Sequence, residues 1–350
     1  MSIRLAKPVG SLAARYDAVV IGSGYGGGVA ASRLSRMGLK VAVLERGREW
    51  LPGEFPSSVL AAQREFRMTG AKLSIGSPTA LFDLRLGDDV HVLQASGVGG
   101  TSLINANVCL VPDARVIEDH IWPEGVRTNH WLQVGFRRAR DMLQPATLPA
   151  ASTPLKLKAL EKAAKSVSSV AERIPLHITF EETVNAAGVR QPACSECGDC
   201  LGGCNVGAKT TVHSTYLTDA VNHGAEIHTH AEVRYLESAG AEGWRITLHR
   251  LDDNAKAVPL RRVMARMVVL SAGTLGTNEI LMRSRERGLK LSDRLGKRLS
   301  TNADAIAFGY NNDQRVNAIG TGSSTKRNGR EPRVGPAVAG LIDLRRDRGL

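Results

Sequence analysis

No run of apolar residues in this chain of 350 residues approaches the roughly eighteen that a membrane-crossing helix needs, so no transmembrane segment is expected. Met1 to Arg15 lacks both a sustained apolar stretch and a small-residue cleavage pattern. It does not read as a secretory signal but as a short tail or edge strand, and the expected compartment is the cytoplasm. There is no internal repeat and no low-complexity tract. Aromatic residues make up only 4% of the chain, and they are not interleaved with the basic ones, although the formal net charge is +12. Lysines and arginines are dispersed, densest at Arg261-Arg262, Arg283 to Lys297 and Arg345-Arg346. A nucleic-acid-binding face is therefore not expected. The charge reads instead as a solvated basic surface. Cysteine is scarce too: there are five, four of them within residues 194–204.

What is present begins with an ordinary globular composition, 43% hydrophobic and 23% charged, on a chain long enough for two domains and a sizeable core. Near the N-terminus, Asp17-Ala18-Val19-Val20-Ile21 is a short apolar run with β-branched residues, as a buried parallel strand requires. Gly22-Ser23-Gly24-Tyr25-Gly26-Gly27-Gly28 follows. Gly22 suits the sharp turn out of the strand. Gly24 offers a bare backbone to a pyrophosphate, and Gly27 lets a helix lie close to the strand. A helix is expected through Val29 to Met37, with Val29, Leu34 and Met37 as its apolar positions and Gly38 as its end. Its N-terminus would present unpaired N–H groups and a positive dipole end to phosphates. Val41 to Leu44 reads as the second strand, and Glu45 at its end is placed to hold the hydroxyls of an adenosine ribose.

The nucleotide-binding pattern then breaks off. Residues 48–93 mix helical and extended signals, and residues 117–170 look mainly helical, interrupted by Pro145, Pro149 and Pro154. Sheet character returns after residue 210. A helix is expected at Tyr216 to Asn222, ended by Gly224, and a strand at Glu226 to His230. Trp244 to Leu251 and Val263 to Val269 suggest a small meander. Val268 to Ala272 reads as a strand entering a glycine turn, followed by a helix from Thr277 to Arg283 with Thr274 or Thr277 near its cap. A long interruption of this kind suits a large flavin enzyme better than a compact nicotinamide dehydrogenase, although Glu45 alone would also suit NAD.

Two further motifs stand out. Gly97-Val98-Gly99-Gly100-Thr101-Ser102-Leu103-Ile104-Asn105 sets closely spaced N–H groups under little steric cover. That suits a flat isoalloxazine ring or more phosphate, and equally a tight bend between packed strands. Cys194-x-x-Cys197-x-x-Cys200-x-x-x-Cys204 has a ferredoxin-like spacing, with glycines at 198, 202 and 203 to let the chain wrap, but Asn205 stands where ferredoxins commonly carry proline. An iron–sulfur cluster, a zinc site, or a loop of plain or disulfide-bonded cysteines all remain open. Cys109 is alone and apolar-flanked, and reads as a small core residue.

Taken together, Tyr16 to Gly26, Leu44-Glu45-Arg46-Gly47, Gly97 to Asn105, Ala231-Glu232-Val233, Ser271 to Asn278, Leu295 to Asn302 and Val334 to Asp343 resemble the glucose-methanol-choline family of flavin oxidoreductases, in particular its cholesterol-oxidase-like branch. The resemblance implies an α/β fold: a discontinuous Rossmann-like FAD-binding domain at 15–115 and 205–300, after a tail at 1–14. An inserted helical and Cys-rich segment would occupy 116–204, and 301–350 would begin an α+β substrate-binding domain. It implies FAD as cofactor, with Gly22, Gly24, Tyr25, Gly26 and Gly27 along the pyrophosphate and Glu45 on the ribose. Gly100, Thr101 and Asn105 would lie against the flavin, and the Val233 backbone at the adenine. The chain departs from the branch at Thr101 and Ala106, where glycine is more usual. The implied reaction passes hydride from a small apolar alcohol, sterol-like or long-chain, to FAD and then to oxygen or another electron acceptor. The Cys194, Cys197, Cys200 and Cys204 set would make an electron exit if it held a cluster. The histidine base of such enzymes is expected beyond Leu350, so a missing C-terminal half or a complementing chain is expected, and a catalytically incomplete flavin-binding piece is the alternative reading.

Overall fold

A computed structural model describes residues 4–128, 130–251, 257–301, 306–311, 313–320 and 333–345. Asn302 and part of the segment expected to open a substrate domain, residues 302–305, 312, 321–332 and 346–350, lie outside the described residues.

The sequence places its β-branched runs in one seven-stranded sheet. Its strands are β1 (Ala6–Lys7), β2 (Arg15–Ile21) and β3 (Val41–Leu44), and a second sheet follows in β4 (Phe66–Thr69), β5 (Ser74–Ile75), β6 (Phe82–Arg85) and β7 (Val92–Ala95). The large sheet is completed much later by β8 (Glu226–His228), β9 (Ala231–Ser238), β10 (Trp244–Leu251) and β11 (Ala257–Leu270). Its spatial order is β1-β8-β3-β2-β11-β10-β9, parallel from β1 to β11 and antiparallel thereafter.

Side chains alternate across a strand, and both faces of β2 and β3 are buried. Val19, Ile21, Ala42 and Leu44 point into a cluster with Leu236, Ile246, Leu248 and Ile280. Ala18, Val20, Val41 and Val43 point into the opposite cluster with Ala31, Val212, Tyr216 and Leu217. This two-sided burial is why Ala18–Ile21 and Val41–Leu44 contain no polar residue.

Helix α1 (Tyr25–Arg36) begins four residues earlier than its apolar positions suggest, and it packs differently. Its buried face is Gly27, Gly28, Ala31, Ser32 and Ser35. Val29 and Met37 are exposed, while Leu34 is half-buried against the core. Close approach, rather than bulk, seats this helix. A Cβ on Gly27 would stand 2.0 Å from the Gly22 carbonyl oxygen, and one on Gly28 2.4 Å from Val212 Cγ1. Ser32 Oγ donates to Asp219 Oδ2 at 2.6 Å, and Arg36 Nε reaches the same oxygen at 2.9 Å. These bonds tie α1 to the short helix α2 (Thr218–Asn222), which continues a wide helical turn at His213–Leu217.

Two expectations change at the far end of the sheet. The meander and the strand entering the glycine turn are not separate. β11 pairs antiparallel with β10 along its first part and parallel with β2 over Met264–Leu270, so one long strand welds the meander to the nucleotide-binding sheet. Helix α3 (Gly273–Glu286) starts at Gly273 with Ala272 as its cap residue and no capping side chain, so Thr274 lies inside its first turn.

The edge strand β1 is held by a buried carboxylate. Glu49 Oε1 accepts from Leu5 N at 2.7 Å and meets His213 Nε2 at 2.7 Å. The histidine and the edge strand are thus ordered together. Among the described residues no helix is long and apolar enough to cross a membrane.

Candidate functional site

The cleft lies where parallel-sheet folds commonly place one, at the carboxyl ends of β2 and β3. Gly22 makes the turn out of β2 at φ +93°, and a side chain there would collide with the Ser271 carbonyl, 2.4 Å away. Gly24 is different. It has an ordinary φ of −69°, and the nearest atom to a Cβ placed on it is Gly100 Cα, at 4.0 Å. The space over Gly24 is open, and the first turn of α1 aims its N–H groups toward it.

The second glycine loop closes against the first. Gly99 and Gly100 adopt φ +111° and +55°, and a Cβ on Gly100 would stand 2.7 Å from Gly24 Cα. Ser23 bridges the loops: its hydroxyl donates to Glu45 Oε2 at 2.6 Å and accepts from Gly99 N at 3.1 Å. Glu45 also accepts from Ser23 N at 3.2 Å and, through Oε1, from Gly47 N at 2.8 Å. A buried carboxylate held by three donors is pre-set in position, with lone pairs left for a ribose.

The resulting cavity has a volume of about 290 Å³. Of the ten cofactor-binding residues expected from the sequence, Gly22, Gly24, Tyr25, Gly26, Glu45, Gly100, Thr101 and Val233 line it. Gly27 sits behind the turn, and Asn105 stands beside it, donating from Nδ2 to the Tyr25 hydroxyl at 2.9 Å. An adenine dinucleotide fits this donor set: bare glycine backbone in the middle, one fixed carboxylate on the flank and an apolar strand end at Ala231 to Val233.

Sequence reasoning missed the polar wall. Asp83 on β6 is fully buried; Arg46 Nη2 donates to it at 2.5 Å, Gln94 Nε2 at 3.2 Å, and Arg85 Nε lies 3.2 Å away. Arg85 extends to Glu279 on α3 at 3.1 Å. Burial opposes ionisation of Asp83, but the Arg46 and Arg85 guanidiniums outweigh it and hold the carboxyl below its ordinary range. Arg46, Arg85, Gln94 and Glu279 all face the cavity. Arg46 lies in the motif Leu44 to Gly47, but nothing local points to its partner Asp83 or links Arg85 to Glu279, because these pairs join separate elements.

The cysteines come together only in part. Cys194, Cys197, Cys200 and Cys204 line one small cavity of about 20 Å³ with Ile178, Val206, Ala208 and Lys209. All are free thiols, so the disulfide reading does not hold here. Cys194, Cys200 and Cys204 pack against Ile174, Leu176 and Ile178 as small apolar groups. Burial pushes the Cys194 thiol up to about 12 and raises that of Cys200. Among the described residues no three histidine, cysteine or acidic side chains are grouped so as to hold a metal ion. The wrapping glycines serve the neighbours instead: a Cβ on Gly203 would meet the Phe55 ring at 2.1 Å, and one on Gly198 would meet Val334 at 2.3 Å.

None of the nine histidines lines the cleft. His213 is paired with Glu49, and His228 Nδ1 lies 3.2 Å from the Pro8 carbonyl.

Residues 16–303 match the family described as GMC oxidoreductase. The chain is 28% identical over 319 residues to a cholesterol oxidase of Acinetobacter baumannii, covering 83% of this chain and 55% of the relative. It is 30% identical over 315 residues to a cholesterol oxidase of Mycobacterium tuberculosis, covering 83% and 52%. A long-chain-alcohol oxidase of Arabidopsis thaliana is 26% identical over 306 residues, covering 85% and 37%. The chain thus spans about half the length, or less, of these relatives.

Proposed function

We propose, from the fact that this chain belongs to the GMC oxidoreductase family, that its cleft holds FAD and that it serves the oxidation of an alcohol. The observation that carries the reading is the meeting of two glycine loops, at Gly24 and Gly100, beside the fixed carboxylate of Glu45. Bound FAD would supply a hydride acceptor. The residues of this chain would seat it. N–H groups at the start of α1 would face the pyrophosphate, Glu45 would take the ribose hydroxyls, and Val233 would meet the adenine with its backbone. Gly100, Thr101 and the Tyr25–Asn105 pair would border the flavin. The proton acceptor is not assigned to any residue of this chain.

The alcohol is proposed to be apolar, sterol-like or long-chain, on the strength of what the relatives are named for. Oxygen or another acceptor would take the electrons. The division into a nucleotide-binding unit at 15–115 and 205–300, an insertion at 116–204 and the opening of a substrate domain at 301–350 belongs to the same proposal. So does a cytoplasmic location. An iron–sulfur cluster on Cys194, Cys197, Cys200 and Cys204 would add an electron exit. The sulfurs as arranged do not form a ligand set, so no step depends on one, and iron and acid-labile sulfide analysis tests it.

The experiment is a visible spectrum of the purified protein, followed by anaerobic addition of a sterol, a long-chain alcohol and a short alcohol. Flavin bands that bleach with an apolar alcohol support the reading. Flavin bands inert to every alcohol leave a flavin-binding piece. Folded, colourless protein that does not take up added FAD overturns it.

A further inference from the structure

Lys209 is the one lysine or arginine that is buried among the described residues, 4% exposed. Its ammonium has three protons and finds three main-chain carbonyls: Asn105 at 2.8 Å, Leu103 at 3.0 Å and Cys200 at 3.1 Å. Among the described residues no carboxylate forms an ion pair with it. Two of the three carbonyls belong to the loop Gly100–Asn105, whose Gly100 and Thr101 front the cofactor cleft. The charge therefore sits one main-chain layer behind the surface on which a flavin would rest.

Burying an ammonium without a counter-ion is costly, and a methionine would fill the same space without that cost. Hydrogen bonding to the loop explains part of what the lysine does, but a neutral donor could do as much. The charge itself needs a partner. Burial lowers the pKa of Lys209 to about 8, which leaves it mostly protonated at neutral pH. Among the described residues no carboxylate balances Lys209, so a negative charge that arises in the cleft would feel it with little screening.

We propose that Lys209 is a positioning residue for the bound flavin, holding the Gly100–Asn105 loop in place and stabilising negative charge that forms on the ring when it is reduced or accepts a nucleophile at N5. This rests on the FAD reading above. Lys209 does not touch the cleft, so it acts through the loop and through its field.

Sulfite titration of the FAD-loaded chain separates the two roles, because sulfite adds to flavin N5 and leaves negative charge on the ring, read directly by bleaching. Lys209→Met and Lys209→Gln are both expected to bind sulfite about tenfold more weakly than the unmodified chain. Lys209→Arg, which keeps the charge, is expected to stay within about threefold. The glutamine variant keeps a donor for the carbonyls, so it isolates the charge, and it stands in if the methionine variant does not fold. A neutral variant that binds FAD and keeps full sulfite affinity overturns the proposal while the FAD reading stands. An unmodified chain that is folded but binds no flavin overturns both.

Discussion

The Tyr25 hydroxyl accepts a hydrogen bond from Asn105 Nδ2 at 2.9 Å, across a sequence separation of 80 residues, and so ties the first turn of α1 to the end of the second glycine loop. Neither residue is needed for the core, since Tyr25 is 37% exposed. Tyr25→Phe removes the acceptor and keeps the ring. A hydrogen bond of this kind contributes about 1 kcal/mol, so the variant is expected to bind FAD about fivefold more weakly with little change in melting temperature. Fluorescence titration with FAD measures it. A large loss of thermal stability with unchanged FAD affinity would count against the assignment of this pair to the cofactor.

Gly24 and Gly27 are expected to separate cofactor binding from folding. Gly24→Ala meets nothing closer than 4.0 Å, so the fold should survive, but the new methyl occupies the space left for the pyrophosphate. Gly27→Ala drives a methyl to 2.0 Å from the Gly22 carbonyl and must move the helix off the turn. The first variant should be folded and colourless. The second should lose about 1–3 kcal/mol or more of stability, the range for overpacking. Circular dichroism melts beside flavin content distinguish them.

Asp83→Asn leaves Arg46 and Arg85 facing a neutral amide in a fully buried position. Breaking a fully buried pair costs about 3–5 kcal/mol, and here the cost is expected to be smaller, because Arg46 and Arg85 both reach the cleft and Arg85 keeps Glu279. Denaturant midpoints should fall accordingly. Arg85→Lys should be milder, since Arg46 still pairs with Asp83.

Mild acid should weaken the fold through two buried histidines, although burial also raises the Asp199 carboxyl to about 6, whose protonation works the other way. His177 and His228 are buried, and burial first of all lowers both pKa values; for His177 the nearby Lys209 adds to this, and for His228 the Glu226 carboxylate only partly offsets it. A histidine whose folded pKa lies below its unfolded one favours the folded state above about pH 6.5. It gives up that contribution as pH falls through the folded value, because the unfolded chain binds more protons. Stability is therefore expected to drop as the pH falls below about 6.5, and His177→Gln should flatten the slope. A denaturation series across that range with an unchanged midpoint would refute this.

The phosphate turn was legible because its causes are local. Gly22 needs a positive φ, Gly27 must let a helix reach its own strand, and both constraints act within a few residues. The apolar runs Ala18–Ile21 and Val41–Leu44 were legible because burial on both faces disfavours polar residues there. The helix face was misjudged at Val29 and Met37, because the sequence shows bulk while the packing of α1 uses the absence of bulk at Gly27, Gly28 and Ala31.

From its residues alone the chain determines a strand, a glycine turn, a helix and an acidic strand end, since steric and hydrogen-bonding limits on neighbouring residues settle them. Tertiary structure decided the rest: that Gly100 comes up against Gly24, that Asp83 draws Arg46 and Arg85 into the cleft wall, and that Lys209 lies buried behind the second loop. Apart from Asp83 and Arg85, neighbours on one strand, those contacts join residues tens to more than a hundred positions apart. They depend on pairing buried charges across elements and on the close approach of bare backbone, which no local pattern records.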